Sequence, residues 1–294
     1  MMPIANFSGH APRPVRVPAG ALLLPLLLLL APSLTPARGE GPDAPGPGYR
    51  QVARLESELC GALEPKRRRW VTPETRYLEQ VRLPCLAAGP APENGPAAPV
   101  RVSAGLVDFL DRLAHARAHD EVERGFYVRY TKRLGEDSRR SPVPDFDVLL
   151  PKNASNLQTQ NRQASFFNQM AGGLVAVELA HQYLGHYRKH AVALTLPAAL
   201  PRPINELISE SEWRAAVLRG AENALACGLA TDGLRAVFDC FESMSPRPAW
   251  AAYFIHPQAN VRRVNAELVK AEREFFAMDH RPKPLTGDGR LKGR

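Results

Sequence analysis

After residue 37 the chain has no apolar stretch approaching the roughly 20 residues that cross a bilayer, so no membrane span is expected there. It has only four cysteines and no C-x-x-C, which removes the usual support for a redox motif or a zinc ribbon. Internal repeats are absent. Cationic residues outnumber acidic ones, giving a formal net charge of +8, but no long block of one sign appears. The densest run is "KRRRW", Lys66 to Trp70, followed in rank by the loose tail "HRPKPLTGDGRLKGR". Scattered charge of this kind reads as a solvated basic surface, and no nucleic-acid partner is expected.

At the N-terminus, Arg13 and Arg16 precede the apolar run "AGALLLPLLLLLA", and "SLTPA" then offers small residues suited to cleavage after Ala37. That order is the order of a secretory signal. Residues 1–37 are therefore expected to direct export, to the periplasm or beyond. The alternative is a membrane-tethered form with an uncleaved signal, because Pro25 and the flanks do not settle cleavage. In an oxidising compartment the cysteines become disulfide candidates. Pairing Cys60 with Cys85 and Cys227 with Cys240 is the economical arrangement, although three connectivities are compatible with the count.

The whole chain, with 45% hydrophobic residues and a mean hydropathy of −0.26, has the composition of a soluble globular protein. Residues 38–100 read as a Gly/Pro linker and an N-terminal extension pinned by the Cys60/Cys85 pair. Within it, Val52, Leu55, Leu59 and Leu63 mark one short helix, and "PETRYLEQVRL" marks a second opening at Pro73. From Ser103, a candidate cap, Leu106, Phe109, Leu110 and Leu113 form a helical stripe that is expected to break near Gly125. Residues 144–151, "PDFDVLLP", are the best strand candidate. Further helices are predicted over 166–190, 209–227, 232–244 and 258–278, with Gly228 at a C′ position. The fold class is thus α+β and mostly helical, with a small sheet. The main domain is expected over 101–280, before a flexible basic tail at 281–294.

The stretch "AVELAHQYLGHYRKH", Ala176 to His190, invites a metal reading. In H-E-x-x-H, two histidines four residues apart share one zinc, and the glutamate between them acts on the metal-bound water. Glu178 and His181 hold the second and fifth positions, but Val177 holds the first and has no lone pair. His181 and His186 are five apart and face different directions on a continuous helix. His186 and His190 share a face but lack an adjacent glutamate, and Arg188 and Lys189 oppose a cation between them.

With its neighbours this helix resembles that of metallopeptidase family 48, the HtpX-like and CAAX prenyl peptidases. "AGGLVAVELAHQYLGH", "ESEWRAAVLRGAENALACGLATDGLRAVFDCFESM" and "FIHPQANVRRV" fall in the family's order, with "DVLLPKNAS" a poorer fourth match, over about residues 103–275. The resemblance implies a zincin-like domain. It places the family's third zinc ligand on Arg214 and the following aspartate on Ala216. Two of three ligands would then be missing, with a fixed positive charge at one of the positions. A shift of one or two residues would put Glu212 or Glu210 there instead. The resemblance implies that Glu178 faces Arg214 as an ion pair, leaving His181 and His256 as polar residues of a disused cleft and Trp213 as packing.

Three functions follow as expectations. One is an exported, inactive family-48-like protein that binds or regulates an envelope protein or an extended peptide, with no cofactor. Another is an active zinc metalloendopeptidase using His181, a nearby glutamate and His256. The last is a helical structural protein of the envelope.

Overall fold

The computed structural model describes residues 46–151, 156–195 and 200–277. The expected signal segment, residues 38–45 of the linker and the basic tail 281–294 lie outside the described residues. The elements are α1 (Pro47–Ala62), α2 (Pro65–Arg68), β1 (Thr75–Leu78), β2 (Leu86–Gly89), β3 (Ala98–Ser103), α3 (Ala104–His119), α4 (Phe126–Ser138) and α5 (Leu157–Tyr183). There follow α6 (His186–Lys189), α7 (Ala191–Leu194), α8 (Glu210–Ala226), α9 (Asp232–Ser243) and α10 (Val261–Ala277). The architecture is α+β and mostly helical. Its three-stranded sheet has β3 in the middle, parallel to β1 and antiparallel to β2.

Helix α5 is central to the packing of the described residues. Every residue from Met170 to Gln182 is buried, as expected of a helix surrounded on all sides; α1, α3, α8 and α9 pack against it. Small residues permit this crowding. Gly220 of α8 lies so close to α5 that a Cβ there would meet the backbone nitrogen of Val177 at 2.6 Å and its Cα at 2.7 Å.

Local signals end the helices where the sequence indicates. Ser103 Oγ accepts from the amide of Leu106 at 3.1 Å, and Gly125, at φ +86°, separates α3 from α4. Ser209 and Glu212 form a reciprocal capping box on α8. At the other end, Gly228 at φ +78° closes a Schellman turn: its amide donates to Leu225 and that of Leu229 to Ala224.

Four expectations are corrected. Residues 47–100 are no separate extension, because α1 and all three strands contribute to the same apolar core as α3 and α5. Residues 75–78 form β1 rather than a helix, paired in register with Val100 to Ser103. Residues 144–151 form turns instead of a strand, with Leu149 at φ +63°. The helix expected from 166 begins at Leu157 instead, since Asn156 caps α5 by accepting from the amide of Thr159 at 2.8 Å.

All four cysteines are free thiols. Cys60 and Cys85 sit in different surroundings: the thiol of Cys60 neighbours Glu56 and Cys227, whereas that of Cys85 neighbours Glu178. Cys240 is buried in α9 and Cys227 contacts the carbonyl of Glu58. The pinned extension and both expected pairings are therefore absent. Burial pushes the thiols of Cys60 and Cys85 up to about 12, the bias of packing residues rather than nucleophiles.

Candidate functional site

Glu178 lies in the buried middle of α5 and faces the sheet. Its Oε1 accepts from the amide of Ala88 in β2 at 2.7 Å and from the hydroxyl of Tyr187 in α6. The same Ala88 amide also reaches the Tyr187 oxygen at 3.1 Å. Two local features build this knot. The β2–β3 ladder is irregular between Ala87 and Gly89, and the Ala88 amide points to Glu178 instead. After α5, Gly185 at φ +82° turns the chain so that α6 folds back and carries Tyr187 into the core.

Burial pushes the Glu178 carboxyl up to about 7, against the two donors, and the charge of Glu56 adds to the rise. Glu56 of α1 is itself buried. Its carboxyl accepts from the Thr75 hydroxyl, and its other oxygen has no partner. Burial lifts Glu56 to about 7 as well, opposed by Thr75 and assisted by Glu74. Each of the two buried carboxyls thus holds its proton at pH values where an exposed glutamate is ionised.

His181 follows on the same helix. Its Nδ1 lies 2.8 Å from Nδ1 of His186, so one of the two rings carries its proton on that nitrogen. Burial lowers both histidines, that of His181 strongly and with the neighbouring His186 as the second cause. The break at Gly185 explains a meeting that a continuous helix forbids. Nε2 of His181 is buried without a partner.

The remaining candidates are committed elsewhere. Arg214 does not meet Glu178; it pairs with Glu210 at 3.7 Å and with Glu267 of α10 at 3.6 Å. The face of α8 turned inward consists of Trp213, Ala216, Val217, Gly220 and Ala221, and Arg214 is one helical step away from it. Glu212 closes the capping box and binds Lys189 at 2.6 Å, and these donors hold its carboxyl down at about 2. His256 uses both ring nitrogens: Nδ1 accepts from the amide of Gln258 at 3.1 Å, and Nε2 lies 3.2 Å from the carbonyl of Ile208. Trp213 is buried, with its indole nitrogen donating to Phe254.

These residues do not fit a catalytic zinc. Val177 is buried against Gly220, the inward face of α8 offers no ligand to His181, and Nδ1 of His181 is engaged by His186. Among the described residues, no group of three or more His, Cys, Asp or Glu side chains is placed to hold a metal ion. An open cleft of about 610 Å³ is lined by Glu206, Glu242, Arg247 and Met244 among others, and Glu178, His181 and His256 do not line it.

Sequence reasoning identified Glu178 and His181 but missed Tyr187, Ala88 and Glu56. The glycine two residues before Tyr187 is the available signal for the first, since a turn there folds the next residues back on the helix. Nothing local marks Ala88, whose contribution is a backbone amide. Comparison of the chain with family models, with curated proteins and with solved structures gave no match.

Proposed function

We propose that the chain is an exported, metallopeptidase-like domain that works by binding rather than by zinc-dependent hydrolysis, in the regulation of other envelope proteins. One observation carries the reading: the carboxyl at the general-base position is enclosed by Ala88 and Tyr187 and tied to the sheet. A base that activates water needs a reactive water beside it and a path to substrate. Glu178 has a backbone amide and a phenol instead, and its role is to join α5 to β2. The family resemblance of the helix and of the segments after it supplies the fold part of the proposal. An extended partner would add at β1, because β2 is buried along its whole length.

The test is a metal assay on purified protein combined with digestion of denatured casein. The expected outcome is no stoichiometric zinc and no cleavage. One zinc per chain, removed by chelator or by His181→Ala, together with proteolysis, would overturn the proposal in favour of an active metalloendopeptidase.

A further inference from the structure

We propose that the corner formed by α2, the C-terminal end of α5 and α6 is a docking face for an anionic phospholipid surface. The guanidinium of Arg188 lies 3.8 Å from the ring centroid of Trp70, and that of Arg69 lies 4.8 Å from the same ring. Arg67 sits 5.4 Å from the ring of Tyr183, the last residue of α5. The fold thus gathers the run 66–70 and the segment 183–189, distant in sequence, into one cationic and aromatic cluster.

Arg112, Arg117, Arg133, Arg219, Arg235 and Arg247 each meet a carboxylate; three arginines of this corner do not, and they differ from other unpaired arginines by their aromatic rings. Among the described residues no carboxylate lies within ion-pair distance of Arg67, Arg69 or Arg188; the ion pairs of this corner are Lys66 with Glu64 and Lys189 with Glu212. Arg68 turns inward to the carbonyls of Gly61 and Leu63. Three unneutralised guanidinium groups held on aromatic rings are ready donors for phosphate oxygens.

The choice of a lipid surface rests on what accompanies the charge. Leu184 and Val192, on either side of α6, are 40% and 84% exposed, and Trp70 is half-buried at the same corner. Cations, a tryptophan and exposed aliphatic side chains together mark residues that partition into a headgroup region. Nucleic acid and sulfated polymers offer no apolar phase for the aliphatic side chains.

The experiment uses the full chain with vesicles of phosphatidylglycerol and phosphatidylcholine, and with vesicles of phosphatidylcholine alone. Trp213 and Trp250 are 0% and 2% exposed, so a change in tryptophan emission reports Trp70. Expected are sedimentation with anionic vesicles only, weakening with added salt, a blue shift of emission, and quenching by brominated acyl chains. Partitioning should fall by about tenfold or more in R67E/R188E and by less in R67Q/R188Q, while R129E/R133E on α4 binds as wild type. Equal binding to neutral vesicles, no binding, or equal loss in R129E/R133E would overturn the proposal. So would binding to a soluble sulfated polysaccharide without quenching by brominated lipid.

Discussion

Ala88 donates its backbone amide to the side chain of Glu178 at 2.7 Å, tying the buried edge of the sheet to the middle of the central helix. The two residues are 90 positions apart, and their contact decides what the motif helix does. A glutamate next to a missing ligand and three residues before a histidine looks like half of a metal site. Within the fold it is a tie between layers, closed from the other side by Tyr187.

That tie is pH-dependent in a stated direction. Burial lifts Glu178 and Glu56 to about 7 from an ordinary 4.5. Their contribution is complete below about pH 4.5 and is lost as pH rises through about 7, at roughly 3 kcal/mol per carboxyl as an upper figure. Buried His181 and His186 act oppositely, since both are lowered from 6.5. Their contribution is present above that value and is lost as pH falls below it. The melting temperature should therefore drop between about pH 6.5 and pH 8, and Glu56→Gln/Glu178→Gln should flatten that drop. Thermal melts in which the double variant follows wild type across this range would refute the assignment.

Tyr187→Phe removes the hydroxyl donor to Glu178 and should cost about 1–3 kcal/mol in urea unfolding. A double-mutant cycle with Glu178→Gln should show a coupling above about 0.5 kcal/mol, because the two side chains are in direct contact. Additive losses would mean that the hydroxyl contributes nothing through the carboxyl.

Gly220→Ala tests the crossing of α8 over α5. The added carbon meets backbone atoms of Val177 at 2.6 and 2.7 Å, and backbone cannot rotate aside as a side chain does. A loss of about 1–3 kcal/mol or more is expected, read as a lower urea midpoint. A neutral substitution would show that the helices are not held at this distance.

Arg214→Met should be mild, within about 1 kcal/mol, because its pairs with Glu210 and Glu267 are partly solvated. It should also be additive with Glu178→Gln, since the two side chains do not meet. Strong coupling between them in a melting series would restore the ion pair that the family resemblance implies.

Features set by a few consecutive residues were legible before the structure. The Ser103 cap, the Gly125 break and the Gly228 turn each depend on a side chain and backbone within five residues. Strands β1 and β2 were not, because four residues such as "LAAG" have no periodicity of their own and become a strand through pairing with β3. Residues 144–151 have the composition of a strand but no partner to pair with. Arg214 was misplaced by a single step: alignment to a motif fixes position to within a residue, and one residue is 100° of helix. The apolar stripe Trp213, Ala216, Val217, Gly220 shows which side of α8 turns inward, and it excludes Arg214. Val177 has its own explanation, a core residue against the α8 backbone.

The left-handed turn at Gly185 sends three consecutive side chains to three destinations. His186 meets His181, Tyr187 enters the core at Glu178, and Arg188 covers Trp70 at the surface. One pivot therefore serves the interior and the exterior at once. A side chain at this position would strain the turn and crowd Arg188. A lesion at Gly185 would thus present as two defects of one origin: a loosened core and a disordered basic corner.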